Sequence, residues 1–243
     1  MPLDQTEAIV LRTFNIGDQD KVVVFFSRDK GLLRGVAKGA RKFGNRFGSS
    51  LEPMSLVRVF YYEKERQELV TVSQTDLIES FFEVQGDFRN TCTLSYFAEL
   101  VEEFFPSRAR EDLVFRLLAS VLQAVREKRD PAVLTRYFEA WFLQINGLLP
   151  DFRRCQKCRK PLAGGGTLSP RMDGVVCAAC APLKKDAVPA EVISFLDWTK
   201  KNSPSAADGP PCTAPQLQAI GRTFQSIIVY HLEREPKSLQ FLK

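Results

Sequence analysis

The 243-residue sequence predicts an α+β, multidomain chain in three parts. These are an N-terminal five-stranded β-barrel of the OB-fold kind over residues 1–80, an α-helical domain over 81–150 and 184–243, and a four-cysteine zinc module inserted at 151–183. Three observations carry this. Apolar residues repeat with a period of two up to about residue 80, and with a period of 3.6 beyond it. The helical part is then interrupted by Cys155-x-x-Cys158 and Cys177-x-x-Cys180, two pairs with eighteen residues between them.

Strands are expected at Ala8–Phe14, Lys21–Ser27, Leu32–Lys38, Ser55–Lys64 and Leu69–Ile78. Asn15-Ile16-Gly17-Asp18 and Arg28-Asp29-Lys30-Gly31 supply turn chemistry between the first three. In the fourth, Val57, Val59 and Tyr61 fall on one face. Five such strands with one long loop, Gly39 to Pro53, fit a small Greek-key barrel of the oligonucleotide-binding type. Other five-stranded barrels share the pattern.

Beyond Ser80 a first helical stripe runs Leu94, Phe97, Ala98, Val101, Phe104, Phe105 and ends at Pro106. Val114, Leu117, Leu118, Val121 and Val125 form a second. Asp130-Pro131 opens a third helix, since Asp accepts from free backbone N–H groups and Pro in the first turn forfeits no needed donor. That helix carries Leu134, Phe138, Trp141 and Ile145 and stops at Gly147, and the three are expected to pack as a bundle. After the cysteine module come a helix over Ala190–Lys200, a proline-rich loop over Ser203–Pro215, and a last helix with Leu217, Ile220, Phe224, Ile227, Ile228 and His231 on one stripe.

Two residues between thiols let one tight turn aim both sulfurs at a single point. Gly164-Gly165-Gly166 and Asp173-Gly174 allow the chain to fold back with the second pair. Cys155, Cys158, Cys177 and Cys180 are therefore read as ligands of a closed, structural zinc site. Two disulfides or a thioredoxin-like redox pair are the alternatives. The N-terminus lacks the charged-then-apolar order of a signal peptide and no stretch resembles a membrane span. A cytosolic, reducing location is the expectation, which favours metal over disulfides.

The net charge of +5 names no partner, but its distribution is uneven. Between Arg28 and Gly48 stand seven cations, Arg28, Lys30, Arg34, Lys38, Arg41, Lys42 and Arg46, against one anion, Asp29. That local excess is what an electrostatic footprint for phosphates looks like, although a basic loop that merely faces water has the same composition. Lys38, Arg41, Lys42 and Arg46 are the expected phosphate contacts, with Arg34 next. Phe43 and Phe47, interleaved with them, either stack on bases or anchor the loop to its barrel.

The catalytic inventory is poor. His231, the single histidine, is expected to be a half-buried helix residue, and Cys92 and Cys212 small apolar or spare thiols. Gly39-Ala40-Arg41-Lys42-Phe43-Gly44 has the glycine spacing of a nucleotide-binding loop. Asn45-Arg46 then stand where Lys and Ser or Thr are needed, so nucleotide hydrolysis is rejected. The chain reads as a binder and not an enzyme. A nucleic-acid-modifying enzyme with an accessory zinc finger, and a zinc-stabilised adaptor for proteins alone, are the rival readings.

Leu33-Arg34-Gly35-Val36-Ala37-Lys38-Gly39-Ala40-Arg41-Lys42 resembles the hallmark segment of the bacterial RecO family of recombination mediators in DNA repair. Leu51-Glu52-Pro53, Glu99-Leu100-Val101, Arg136-Tyr137-Phe138-Glu139, Gly147-Leu148-Leu149-Pro150-Asp151, Tyr230-His231-Leu232 and Lys237-Ser238-Leu239 follow in the family's order. Met54 departs from the aromatic common at its place, and the 203–215 linker is particular to this chain. The resemblance implies a protein that binds single- and double-stranded DNA, anneals strands, engages RecR and the single-stranded-DNA-binding protein (SSB), and helps RecA replace SSB. It further implies a bacterial, cytoplasmic, nucleoid-associated location. SSB offers an acidic, apolar C-terminal tail, for which Arg136 is the expected cation and Tyr137 or Trp141 the pocket wall.

Overall fold

The computed structural model describes residues 2–63, 68–181, 187–206 and 208–242. Lys64 at the expected end of the fourth strand, residues 182–183 at the end of the module, and Ala207 in the proline-rich stretch lie outside these. By compactness the chain divides into two units, 1–122 with 237–243, and 123–236.

In the first unit β1 (Leu3–Ile16), β2 (Asp20–Ser27), β3 (Gly31–Ala37), β4 (Leu56–Tyr62) and β5 (Val70–Glu79) form a closed barrel in the order β1-β2-β3-β5-β4. β1 starts five residues earlier than the hydrophobic pattern predicts. Its first half pairs antiparallel with β4, from Leu3 opposite Tyr62 to Ile9 opposite Leu56, and its second half pairs with β2. A register shift between Val10 and Arg12 bends the strand between these two duties. The polar run Asp4-Gln5-Thr6-Glu7 is thus held by tertiary pairing and not by its own periodicity. A parallel pairing of Gly35–Ala37 with Val70–Val72 closes the barrel, which leaves no open sheet edge.

The barrel interior is filled by Ala8, Val10, Val23, Phe25, Leu33, Val57, Val59, Tyr61, Val70 and Val72. Val57, Val59 and Tyr61 share the inward face, as the alternation requires. α1 (Phe88–Phe104) is capped by the Asp87 carboxylate, which accepts from the N–H groups of Arg89 and Asn90. The closing 3-10 segment Lys237–Leu242 docks on α1. Glu99 accepts from the N–H of Lys237 at 2.9 Å, the N–H of Ser238 at 2.8 Å and the Ser238 hydroxyl. Burial works against the Glu99 charge, but the Ser238 and Lys237 donors and Arg12 outweigh it and hold the carboxyl below its ordinary range. Phe26 of β2 stacks on Phe105 and meets Phe115 of α2 (Asp112–Arg126).

In the second unit α3 (Pro131–Ile145) begins as expected, with the Asp130 carboxylate accepting from Ala132 N–H at 2.9 Å. In this unit α3 packs against α5 (Ala214–Leu232), with α4 (Glu191–Lys201) alongside both. Phe152, Phe195, Trp198 and Phe224 interlock among them. Two stripes need correction. Trp141 and Ile145 are only half-buried, because α3 is enclosed along a different band that includes Thr135, Arg136 and Glu139. His231 is exposed, edge-on to Tyr230, because the buried stripe of α5 ends at Ile228. Between α3 and α4 lies a small sheet of β6 (Gly166–Leu168), β7 (Val175–Val176) and β8 (Ala187–Val188), in the order β7-β6-β8. Among the described residues no helix is long and apolar enough to cross a membrane.

Candidate nucleic-acid interface and metal centre

The loop from Gly39 to Pro53 is ordered by its own turn chemistry and by the barrel beneath it. Lys42 N–H donates to Gly39 C=O, and Asn45 N–H to Lys42 C=O. Gly44, with φ +66° at the third position of the Lys42–Asn45 turn, takes a conformation that a side chain would strain. The Asn45 side chain accepts from the N–H groups of Phe47 and Gly48. Ala40, Phe47 and Leu51 then enter the barrel core, so both limbs of the loop are plugged into the β-structure.

The β1–β2 turn clamps the same loop from the side. Asp20 accepts from Gly39 N–H at 2.8 Å, Gln19 C=O accepts from Arg41 N–H at 3.0 Å, and Gly17 C=O accepts from the Arg41 guanidinium at 2.9 Å. Gly17, Gln19 and Asp20 thereby join the site as positioning residues. The sequence marked this stretch only as a turn and carried no signal that it holds the basic loop.

Six of the seven cations fall into two groups. Arg28 pairs with Glu7 and Asp112, and Arg34 with Glu102 at 3.3 Å, a carboxylate that also takes Arg12. These charges are already matched within the protein. Lys38, Arg41, Lys42 and Arg46 are exposed and, among the described residues, enter no ion pair. Arg46 donates to Ser73 C=O at 2.6 Å and lies 4.6 Å over the Phe47 ring, which fixes its position without neutralising it. Phe43 and Phe47 take opposite roles. Phe47 is in the core, whereas Phe43 stands free at the loop apex. An open recess of about 410 Å³ lies among Gln19, Asp20, Lys38, Lys42, Phe43, Asn45 and Arg46.

In the second unit the four paired cysteines converge, with all four Sγ atoms within 4.8 Å of one another and Cys158 and Cys177 at 3.7 Å. All four are free thiols in this structure. Four sulfurs at about 2.3 Å from one zinc ion would stand about 3.8 Å apart, close to the spacing seen. Backbone N–H groups of Cys158 and Cys177 pull the Cys155 thiol down to about 6, while hydrogen bonds with Cys177 and Cys158 push Cys180 up to about 12. The cluster can hold a metal ion. Around it, Cys155 N–H donates to Lys160 C=O, Gln156 N–H to Val175 C=O, and Arg153 bonds Asp197 of α4 at 2.5 Å.

The expected cation for an acidic tail is not open to solvent. Arg136 is 8 % exposed and bonds Glu139, itself fully buried, at 2.8 and 2.9 Å. Its guanidinium lies close against Gly221 of α5, where any Cβ would collide with it, and Gln225 completes its surroundings. Tyr137 is buried too and donates to Asn202 C=O at 3.0 Å, with Trp198 edge-on to its ring. Trp141 is the half-exposed member of the three. The helical period placed Arg136 on α3 but could not tell which neighbour would cover it.

Residues 1–81 match the family described as "Recombination protein O N terminal", and residues 85–240 match "Recombination protein O C terminal". Among curated proteins the chain is 34% identical to the "DNA repair protein RecO" of Koribacter versatilis over 233 residues, covering 96% of this chain and 95% of that one. It is 31% identical to the protein of the same name in Desulfatibacillum aliphaticivorans, over all of this chain and 97% of the other. With that of Symbiobacterium thermophilum it shares 30% identity, again over 100% and 97%.

Proposed function

The chain belongs to the RecO family of DNA repair proteins, and from that premise we propose that it is a recombination mediator whose barrel grips polynucleotide phosphates. The observation that carries this is the set of exposed cations without an ion pair among the described residues, Lys38, Arg41, Lys42 and Arg46, on a loop anchored in the barrel core by Ala40, Phe47 and Leu51. Because the loop is already ordered, binding costs little further conformational entropy. Contacts of this kind read charge and not sequence, which suits a protein acting wherever a strand is exposed.

In this reading the protein binds single- and double-stranded DNA, anneals complementary strands, and with RecR and SSB promotes the loading of RecA. It works in the bacterial cytoplasm, at the nucleoid. Zinc at Cys155, Cys158, Cys177 and Cys180 is structural: four thiolates fill its coordination, which leaves no position for a reacting group. The SSB tail needs a cation other than the matched Arg136. The reading is tested by an anisotropy titration of the protein with short single-stranded DNA at several salt concentrations. Affinity that falls linearly on a log–log plot is expected; no binding at low salt defeats it, and turnover of the DNA would favour a modifying enzyme.

A further inference from the structure

Three of the four apolar side chains along the basic loop are taken up by the barrel, Ala40, Phe47 and Leu51 being 7 %, 3 % and 2 % exposed. Phe43 is 108 % exposed, more open than an extended chain would leave it. A phenyl ring in water forgoes the burial free energy that Phe47, four positions on, collects in full. Looseness does not account for this. The turn that carries Phe43 is fixed by the Gly39, Lys42 and Asn45 hydrogen bonds and by the clamp from Gly17 and Asp20. Among the described residues no partner covers the ring either. The Arg46 guanidinium lies over Phe47 instead.

We propose that Phe43 is a stacking platform for an unpaired nucleobase, which makes this loop select single-stranded over paired DNA. The inference rests on the phosphate-gripping reading above and adds to it the feature that distinguishes substrates. Phosphate contacts from Lys38, Lys42 and Arg46 are available to either form of DNA. A base inside a duplex already has neighbours on both faces, so it offers an aromatic ring nothing, whereas an unstacked base offers an open face. The recess beside the ring, about 410 Å³, is of small-ligand size and is lined by those cations, by Gln19 and Asn45, and by Asp20, whose carboxylate accepts from Gly39 N–H. A base stacked on one phenyl keeps its pairing edge outward, so a strand held here stays competent to meet its complement.

The full chain and its Phe43→Ala, Phe43→Leu and Phe43→Trp variants would be titrated with labelled oligothymidylate and with a blunt duplex over a range of salt. All three replacements are at an exposed position, so folding is not at issue. Phe43→Ala and Phe43→Leu are expected to weaken oligothymidylate binding about 5- to 150-fold, leave duplex binding within about two-fold, and keep the salt slope, since stacking releases no counterions. Phe43→Trp should retain affinity and show indole fluorescence quenched by the oligonucleotide, beyond any change in the parent protein with Trp141 and Trp198. Unchanged oligothymidylate affinity in Phe43→Ala overturns the platform while leaving the phosphate grip intact. An equal loss on duplex, or full activity in Phe43→Leu, also overturns it. A parent protein that binds neither DNA removes the phosphate reading itself.

Discussion

Neutralising Lys38, Arg41 and Lys42 together, each to Gln, gives the sharpest measure of how this protein holds DNA. The three are exposed and free of ion pairs among the described residues, so their charges are available to a ligand. Each phosphate neutralised on a single strand adds about 0.7 to the slope of log affinity against log salt, so losing three should lower the slope by about 2. Screening removes most of this attraction near 1 M salt. Over the decade from about 1 M down to about 0.1 M, a slope difference of about 2 becomes about a 100-fold loss, or about 2.8 kcal/mol. Fluorescence anisotropy against salt reads both quantities. Arg34→Gln is the internal control: its guanidinium already meets Glu102, so it should change the slope less than Lys42→Gln alone. A triple variant with an unchanged slope, or a loss of the same size at high salt, would refute the reasoning.

Arg136→Met should destabilise the second unit by about 3–5 kcal/mol, because it breaks an ion pair whose Glu139 side chain is fully buried. Urea unfolding checks this, and normal stability with lost binding of an acidic peptide would instead make Arg136 a recognition residue. Removing metal with a strong chelator should loosen residues 151–181 to proteolysis while the barrel still binds DNA. Reduced protein purified without chelator and lacking bound zinc would end that reading. Glu99 supplies a pH dependence: its folded carboxyl titrates below the unfolded one, so its contribution is complete above the ordinary carboxylate range and is lost as pH falls through the lower, folded value. Hydrogen exchange in Lys237–Leu242 should rise in acid accordingly, and Glu99→Gln should flatten that response.

The resemblance rested on short segments far apart in the chain, and the fold brings several of them together. Glu99 of one segment receives the N–H groups of Lys237 and Ser238 of another. Arg136 and Glu139 of a third are a buried pair whose geometry depends on Gly221. No periodicity relates Glu99 to Lys237 or Arg136 to Gly221, so those contacts were invisible until the chain closed on itself.

Local rules determined much by themselves: the alternation that turns Val57, Val59 and Tyr61 inward, the Asp130 cap, the pairing of thiols at two-residue spacing and the crowding of positive charge into one loop. Each depends on neighbours along the chain, which the sequence states directly. Tertiary structure alone decided which of those charges remain available, since Glu102 lies sixty-eight positions from Arg34 and its approach depends on how α1 meets the barrel. It also separated Phe43 from Phe47, two like residues four apart, because only the space inside the barrel determines which ring can be buried.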